Sequence, residues 1–297
     1  MYHHGIMKLT IATCQFPVDS DIHRNLRYVL RQLNQAKQRR ADVVHFSELC
    51  LSGYAGVEFK SYKNFDWSGL SEATECVLAE AKKLKLWVIL GSSHRLGSKH
   101  KPHNSLYIIN NRGSIIDRYD KMFCTGPRDE RSGDLKHYTP GNHLPVFTIG
   151  GVRCGVQICH DFRYQEIYRE LKKKRVQLVF HSYHNGHHPQ ATLDRSGNIW
   201  GVIVPPTMQA YAANNHMWIS ANNTIARCSS WPSFFVQPDG VITDKLRNHS
   251  AGVLISRIDT SKKFYDASEQ WRDRAMKGVL HSGKLVSDPR SRDRKSY

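Results

Sequence analysis

A cysteine stands where a buried strand gives way to a helix, in the segment GVQICHDFRYQEIYREL of residues 155–171. The pattern predicts a strand that ends at Cys159, and charges at helical spacing follow from Asp161. Free backbone N–H groups at the start of a helix stabilise a thiolate or an oxyanion, so Cys159 is a candidate nucleophile. Most cysteines are instead small buried hydrophobes, and three others here fit that description: Cys14, Cys76 and Cys154.

A reactive thiol needs a proton acceptor and a group that stabilises the charge developing on a substrate carbonyl. The segment DVVHFSELCLSGYAG (42–56) is an apolar strand that leads to Glu48 and then to a loop of small residues. Glu48 is a candidate general base, although an ordinary loop carboxylate has the same pattern. The segment RYDKMF (118–123) places Lys121 just after a predicted hairpin strand, where lysine is more often a surface charge. Neither residue defines a site by itself.

The three segments are more specific together. FSELCLSGY, RYDKMF and GVQICHDFRYQE occur in the order of the three signature segments of the nitrilase superfamily, the carbon–nitrogen hydrolases, and resemble them. The resemblance covers roughly residues 7–258 and extends to PG at 140–141, ANN at 221–223 and SFFVQPDG at 233–240. It implies an α/β fold, the α-β-β-α sandwich, with Glu48, Lys121 and Cys159 as the catalytic triad. It also implies face-to-face packing of such sandwiches in a homodimer or higher homo-oligomer.

The resemblance implies a mechanism as well as a fold. Glu48 would take the thiol proton, Cys159 would attack an amide-like or nitrile carbon, and Lys121 would stabilise the tetrahedral oxyanion. The backbone N–H of His160 would be the second oxyanion donor. Water activated by Glu48 would then hydrolyse the thioester. The resemblance implies no metal and no other cofactor.

Positions around the triad are less sharply defined. Many members of the superfamily carry a second acid between the lysine and the PG pair, and either Glu130 or Asp134 could fill that place. The substrate-binding candidates are Tyr54, near the Glu48 loop, and residues of the segment HSYHNGHHP (181–189), which follows a predicted strand. Within that segment the candidates are Tyr183, His184 and Asn185.

The residues next to the nucleophile favour one class of substrate. Nitrilases usually carry Trp after the nucleophile, whereas amidase and N-carbamoyl branches more often show Cys-x-Asp, as in Cys159-His160-Asp161. The resemblance therefore favours hydrolysis of a non-peptide C–N bond in a small linear amide or N-carbamoyl compound, with a nitrile as the alternative. Asp161 and Arg163 are expected to form an ion pair around the turn.

Strands and helices must alternate to position these segments. In the first predicted helix, residues 22–40, Leu26, Val29, Leu30 and Leu33 fall on one face, as in a helix that covers a sheet. A second helix is predicted at 70–85. Strands are predicted at 8–14, 42–46, 86–90, 105–110, 114–119, 144–149, 152–159, 176–182, 216–223, 233–237 and 252–258. The pattern predicts one hydrolase domain over residues 1–261 and a basic arm or flexible tail over 262–297.

Composition restricts the remaining possibilities. The chain has 297 residues, of which 40% are hydrophobic, so it can bury a sizeable core. Its apolar runs are too short to cross a bilayer, and the segment MYHHGIMKLTIA lacks the pattern of a secretory signal, which predicts an unexported protein. Seven cysteines without a CxxC pair are typical of a reducing compartment, so we expect a cytoplasmic location.

Two alternative functions follow from charge and histidine content. The formal net charge of +17 would suit a non-catalytic nucleic-acid-binding protein. The cations are mostly dispersed and no recognised nucleic-acid motif accompanies them, which argues against a nucleic-acid partner. Four histidines at short spacing, His181, His184, His187 and His188, could suggest a metal site. Because no HExxH or CxxC pattern accompanies them, a polar pocket loop is the favoured interpretation.

Overall fold

The computed structural model describes residues 7–97, 99–188, 194 and 198–297, so Pro189 of the histidine segment lies outside the described residues. The strands form two six-stranded sheets. The first sheet contains β1 (Lys8–Gln15), β2 (Val43–His45), β3 (Trp87–His94), β4 (His103–Ile109), β5 (Ile115–Asp120) and β12 (Gly252–Asp259). The second sheet contains β6 (Val146–Ile149), β7 (Val152–Ile158), β8 (Leu178–Ser182), β9 (Trp218–Asn222), β10 (Phe234–Val236) and β11 (Ile242–Lys245).

Both sheets have three adjacent parallel strands at their centre. The first sheet has the order β12-β1-β2-β3-β4-β5, in which β1, β2 and β3 run parallel. The second has the order β11-β10-β9-β8-β7-β6, in which β7, β8 and β9 run parallel. Because β4 is antiparallel to both β3 and β5, β5 runs in the same direction as β2 and β3. The carboxyl ends of β2 and β5 therefore lie at the same edge of the first sheet.

Helices cover the outer face of each sheet. Among the described residues these are α1 (Ile22–Gln38), α2 (Trp67–Leu84), α3 (Gln165–Lys173) and α4 (Ile199–Asn215), and a short helix, α5 (Arg272–Met276), follows β12. Residues of α1 and α2 such as Val29 and Val77 pack on the first sheet, and residues of α3 and α4 such as Leu171 and Met208 pack on the second. A further apolar cluster fills the space between the two sheets. The predicted α-β-β-α sandwich is confirmed.

The structure differs from the sequence prediction in two helices, in the short strand β11, which the sequence pattern does not predict, and at Cys76, which is exposed instead of buried. Helix α2 begins at Trp67 and not at the predicted Leu70, because the Asp66 carboxylate caps it by accepting the Gly69 N–H at 2.8 Å. Helix α4 is not predicted from the sequence. It contains Pro205 and Pro206, which are typical of loops, and its apolar residues lie on all sides instead of on one face.

Residues after β12 include both anchored and exposed stretches. The Phe264 ring packs edge-on against Trp218 at a centroid distance of 5.8 Å. The buried Arg272 donates from Nε to the Asn214 carbonyl at 3.0 Å and forms an ion pair with Asp266. Three apolar side chains further along are largely exposed: Leu280, Leu285 and Val286. Within the described ranges, every helix is too short or too polar to cross a bilayer.

Candidate active site

The three segments singled out from the sequence meet where strands of both sheets end. Glu48 lies in the turn after β2, Lys121 directly follows β5, and Cys159 directly follows β7. The Glu48 N–H donates to the carbonyl of Tyr183, the residue after β8, at 3.3 Å, so the carboxyl ends of the two sheets adjoin. Ligand sites of open α/β sheets form at this end of the strands. The fold thus gathers the acid, the ammonium and the thiol at one seam.

Lys121 is buried among oxygen atoms. Its Nζ lies 2.8 Å from Glu48 Oε1 and 2.8 Å from Asp134 Oδ2, and it contacts the hydroxyls of Tyr54 and Thr125 at 3.3 Å each. Burial alone would lower the pKa of Lys121, but the two carboxylates outweigh burial and raise it well above its usual value. The side chain is therefore an ammonium at neutral pH.

The two candidate second acids lie in different environments. Asp134 accepts hydrogen bonds from Lys121, from the Thr125 N–H at 2.8 Å and from the Tyr54 hydroxyl at 2.5 Å. Although burial opposes it, the Lys121 charge and these bonds hold the Asp134 pKa below its usual value. Glu130 is exposed and forms an ion pair with Lys101. The fold brings Asp134, not Glu130, beside the lysine.

The two oxygens of Glu48 differ in their partners. Oε1 accepts from Lys121 and from Asn104 Nδ2, the latter at 2.7 Å. Oε2 is buried and has no hydrogen-bond partner within the part of the chain that the structure describes. One oxygen therefore holds the carboxylate in place, and the other has spare capacity to accept a proton.

Cys159 begins a short 3₁₀ helix, Cys159–Arg163, and its φ of 41° is in the left-handed region that non-glycine residues seldom adopt. Burial, and after it the negative charge of Glu48, raises the pKa of the Cys159 thiol well above its usual value. The Lys121 charge and a hydrogen bond from the His184 N–H oppose this shift. At rest the group is therefore a thiol, and its sulfur would need a base to act as a nucleophile.

Asp161 ties the segment that follows Lys121 to the turn Cys159–Arg163. Its carboxylate accepts the Tyr119 hydroxyl at 2.7 Å, the Phe123 N–H at 2.8 Å and the Ile158 N–H at 3.2 Å. Burial raises the Asp161 pKa to about 6. The expected ion pair between Asp161 and Arg163 is wrong, because these donors already occupy the carboxylate.

Arg163 has aromatic neighbours instead. Its guanidinium lies over the ring of Phe162 at 4.7 Å and over that of Trp200 at 5.3 Å. Cation–π contacts of this kind satisfy a cation without a carboxylate. Arg163 therefore packs the wall of the site.

A cavity of about 640 Å³ opens onto Cys159. It is lined by the four substrate-binding candidates, Tyr54, Tyr183, His184 and Asn185, and also by Asp134 and His160. Three cationic side chains stand on its lining: Lys60, Arg131 and Lys136. Burial lowers the pKa of His160, whose imidazole is therefore neutral at pH 7. The cavity thus combines an apolar wall with a basic rim.

The histidine segment is organised by a carboxylate and by hydrogen bonds. Glu58 Oε1 lies 2.7 Å from His184 Nε2 and 3.0 Å from His187 Nε2. His181 contacts the Tyr168 hydroxyl and the Cys159 carbonyl. Among the described residues, no group of three or more His, Cys, Asp or Glu side chains is arranged to hold a metal ion.

Comparison with known proteins identifies the class. The family model "Carbon-nitrogen hydrolase" matches residues 10–263. The chain belongs to this family, and its resemblance to the nitrilase superfamily is confirmed.

Curated relatives and solved structures agree with this assignment. The chain is 24% identical to the chloroplastic omega-amidase of Arabidopsis thaliana, over 86% of this chain and 69% of the plant protein. It is 27% identical to a formamidase of Helicobacter acinonychis, over 64% of this chain and 58% of that protein. An amidase from Nesterenkonia AN1, of the nitrilase superfamily, has the same fold, with a TM-score of 0.72 and 18% identity over 92% of this chain and 97% of that one. A mutant of that amidase carries the acetamide moiety of fluoroacetamide covalently added at its active-site cysteine.

Sequence reasoning did not single out two polar side chains of the site. Asn104 lies within β4 and holds Glu48, and Glu58 lies in the loop after Tyr54 and pairs with His184. Both contacts join residues more than 50 positions apart in sequence, so no local sequence pattern predicts them. Only the Glu48 loop, already implicated, could have directed attention to Glu58.

Proposed function

We propose that this protein is a cysteine-dependent amidohydrolase that cleaves a C–N bond through a thioester, with Glu48, Lys121 and Cys159 as its catalytic residues. The observation that carries the proposal is the buried Lys121–Glu48 pair at 2.8 Å, whose charges act on the Cys159 thiol. Cys159 in turn lines the cavity. Membership of the carbon–nitrogen hydrolase family supports it.

The chemistry assigns one task to each group. Glu48 takes the thiol proton as the Cys159 sulfur bonds to the carbonyl carbon, and the electron pair of the C=O bond moves to oxygen. Lys121 and the His160 N–H stabilise that oxyanion. The C–N bond breaks when the oxyanion re-forms its carbonyl, and Glu48 delivers its proton to the leaving nitrogen. Water that gives a proton to Glu48 then attacks the thioester, which releases the acid and restores the thiol.

The substrate we propose is a small linear amide or N-carbamoyl compound. The relatives named omega-amidase and formamidase support an amide, and the Cys-x-Asp sequence at Cys159 supports the amidase and carbamoyl branches over nitrile hydrolysis. The cationic groups on the cavity rim, Lys60, Arg131 and Lys136, favour substrates that carry a carboxylate away from the scissile bond.

Ammonia release from a substrate panel tests the proposal. The panel contains neutral aliphatic amides, monoamides of dicarboxylic acids, N-carbamoyl amino acids and nitriles. We expect turnover of an amide or carbamoyl compound that is abolished in Cys159→Ala. Turnover should be retained in Cys124→Ala, a matched control at the cysteine three positions after Lys121. Turnover by Cys159→Ala equal to that of the wild type would exclude the proposed nucleophile, and turnover of nitriles alone would favour the alternative.

A further inference from the structure

We propose that His181 is a positioning residue that orients the oxyanion-binding N–H of His160 by holding the other end of the same peptide group. The proposal rests on the thioester mechanism above, in which that N–H is an oxyanion donor. His181 lies on β8, in the centre of the second sheet, and is fully buried. Neither the signature segments nor the triad geometry assigns it a role.

The first contact fixes the proton on one ring nitrogen. His181 Nε2 lies 3.1 Å from the carbonyl oxygen of Cys159. A carbonyl oxygen only accepts hydrogen bonds, so Nε2 carries the proton and donates it. Burial lowers the pKa of His181 to about 3, so the ring is neutral and Nδ1 has no proton.

The second contact locks this tautomer. The Tyr168 hydroxyl, on α3, lies 2.8 Å from His181 Nδ1. Because Nδ1 is unprotonated, the hydroxyl donates and the nitrogen accepts. The imidazole also stacks on the Tyr183 ring at a centroid distance of 4.2 Å and an interplanar angle of 12°, which holds its plane. The hydroxyl also lies 3.4 Å from Met208 Sδ, but a thioether sulfur is a weaker acceptor than Nδ1. Tyr168, His181 and the Cys159 carbonyl therefore form a directed series of two hydrogen bonds.

Because the peptide unit is planar, fixing the direction of the Cys159 carbonyl also fixes the direction of the His160 N–H. The Cys159 carbonyl and the His160 N–H belong to one planar peptide unit, and in a trans unit the C=O and N–H bonds point in opposite directions. A bond that pins the carbonyl toward His181 therefore turns the N–H to the opposite side. Since Cys159 has a φ of 41°, the turn is strained and needs such support to persist.

A neighbouring histidine provides a matched control. His45, on β2, is also fully buried in the seam between the sheets, where its ring nitrogens contact Ser220 at 2.8 Å and Ser182 at 2.9 Å. Burial lowers its pKa as well. No contact between His45 and Cys159 is found within the described residues. The variant His45→Leu therefore shows what the loss of a buried imidazole does to the enzyme when the Cys159–His160 peptide keeps its hydrogen bond from His181.

The experiment compares steps that do and do not need the oxyanion donor. Hydrolysis of the best panel substrate passes through an oxyanion. Reversible addition of propionaldehyde places a tetrahedral oxygen at the same position: the C–S bond forms, the electron pair of the C=O bond moves to oxygen, and the thiol proton neutralises the developing charge there. Alkylation of Cys159 by iodoacetamide displaces iodide and forms no oxyanion. The variants are His181→Leu, His181→Gln, which retains a donor, and His45→Leu. Aldehyde affinity is measured as protection of Cys159 from alkylation.

We expect His181→Leu to lower kcat and kcat/KM together by roughly 10- to 100-fold, because one oxyanion donor is worth about 10²- to 10³-fold and a misdirected one retains part of that. Aldehyde protection should weaken in parallel, while the alkylation rate stays within about twofold. His181→Gln should recover most of both losses, and His45→Leu should leave kcat and aldehyde affinity unchanged. Should His181→Leu not fold, Tyr168→Phe gives the same pattern with a smaller fall.

Three results would overturn the proposal. His181→Leu with wild-type turnover and wild-type aldehyde affinity would remove any role in orienting the N–H. Equal losses in alkylation and turnover would indicate a displaced thiol instead. Loss of aldehyde affinity in His45→Leu equal to that in His181→Leu would indicate a general effect of core damage. Inactivity of the wild type on every substrate would be a failure of the proposed function, and the aldehyde assay would still decide the role of His181.

Discussion

At the scale of single residues, the chemistry of the site depends on which of its groups carry a proton at rest and which can accept one. Lys121 is held as an ammonium by Glu48 and Asp134, while burial keeps Cys159 a thiol. The free Oε2 of Glu48 is then the basic atom with unused capacity. This division favours proton transfer at the moment of attack over a preformed thiolate.

Replacing Glu48 by Gln should change the acidity of the Cys159 thiol and the rate of turnover in opposite directions: the thiol should become more acidic while turnover falls. The Glu48 charge raises the Cys159 pKa and the Lys121 charge lowers it, so Glu48→Gln should lower the thiol pKa. Turnover should nevertheless fall by about 10²- to 10⁴-fold, the usual contribution of a general base. The pH dependence of iodoacetamide alkylation measures the first quantity and ammonia release the second. An unchanged or raised thiol pKa would contradict the assigned electrostatics.

A second pair of variants decides between the two candidate acids. Asp134→Asn removes the negative charge that Asp134 places beside the Lys121 ammonium. It should lower kcat by about 10-fold or more, because the ammonium is then held less firmly in position. Glu130→Gln alters an exposed carboxylate that pairs with Lys101 and should leave kcat unchanged. Steady-state kinetics on one substrate compares them. A loss confined to Glu130→Gln would reverse the assignment.

At the scale of elements, the site is assembled by loops that follow strands. Glu58 holds the loop after the Glu48 turn against the segment after β8 through His184 and His187. Asp161 holds the segment after Lys121 against the start of the Cys159–Arg163 turn. These two carboxylates each join loops that come from different sheets.

The Glu58–His184 pair predicts a pH dependence of stability. The Glu58 pKa is lowered from 4.5 to about 2, so its stabilisation is present above pH 4.5 and is lost as the pH falls toward 2. The His184 pKa is raised above 6.5, so its stabilisation is present below pH 6.5 and is lost as the pH rises through the folded-state value. The pair therefore contributes most between pH 4.5 and 6.5.

Glu58→Gln should remove that contribution. The free energy of unfolding should fall by about 3 kcal/mol in this pH window, since breaking a buried pair leaves one partner uncompensated. Denaturant unfolding at a series of pH values measures it, with Glu75→Gln at an exposed position of α2 as the control. A difference between wild type and Glu58→Gln that does not vary with pH would count against the ion pair.

Sequence patterns predicted the strands and helices better than the side-chain contacts between distant segments of the chain. Alternating strands and the amphipathic α1 follow from local apolar spacing. The signature segments directed attention to Glu48, Lys121 and Cys159, which the fold brings to one seam. Helix α4 escaped prediction because Pro205 and Pro206 mask its helical character. The hydrogen bond between Asn104 and Glu48 escaped because it depends on the register of distant strands. Local propensity specifies elements, whereas pairs across the seam require the assembled fold.

At the scale of the whole molecule, the residues after β12 divide into two stretches. Phe264 and Arg272 are anchored against Trp218, Asp266 and the end of α4. The region beyond α5 is mostly exposed. The predicted arm or tail at 262–297 is therefore expected to contribute unevenly to stability.

Two truncations test this division. Deletion of 279–297 should leave the thermal midpoint and kcat close to those of the full chain, because it removes mainly exposed residues. Deletion of 262–297 should lower the midpoint clearly, since it also strips Phe264 from Trp218 and removes the Arg272 contacts. Calorimetry on both proteins measures this. Equal midpoints for the two truncations would show that the anchored stretch contributes nothing.

The oligomeric state remains a prediction at this scale. We expect a homodimer or a higher homo-oligomer, and the exposed apolar side chains Leu280, Leu285 and Val286 are consistent with a surface that another chain covers. Light scattering should then give a mass at least twice the 34.1 kDa of one chain. The mass of a single chain would contradict this prediction.

The central claim is that one thiol, Cys159, carries the acyl group during turnover. Acid-quenched enzyme sampled during hydrolysis of an active amide, digested and analysed by mass spectrometry, tests it most directly. We expect an acyl thioester on the peptide that contains Cys159, and its loss in Cys159→Ala. An acyl group on another residue, or full turnover with no thioester on Cys159 under conditions that trap the intermediate, would contradict it.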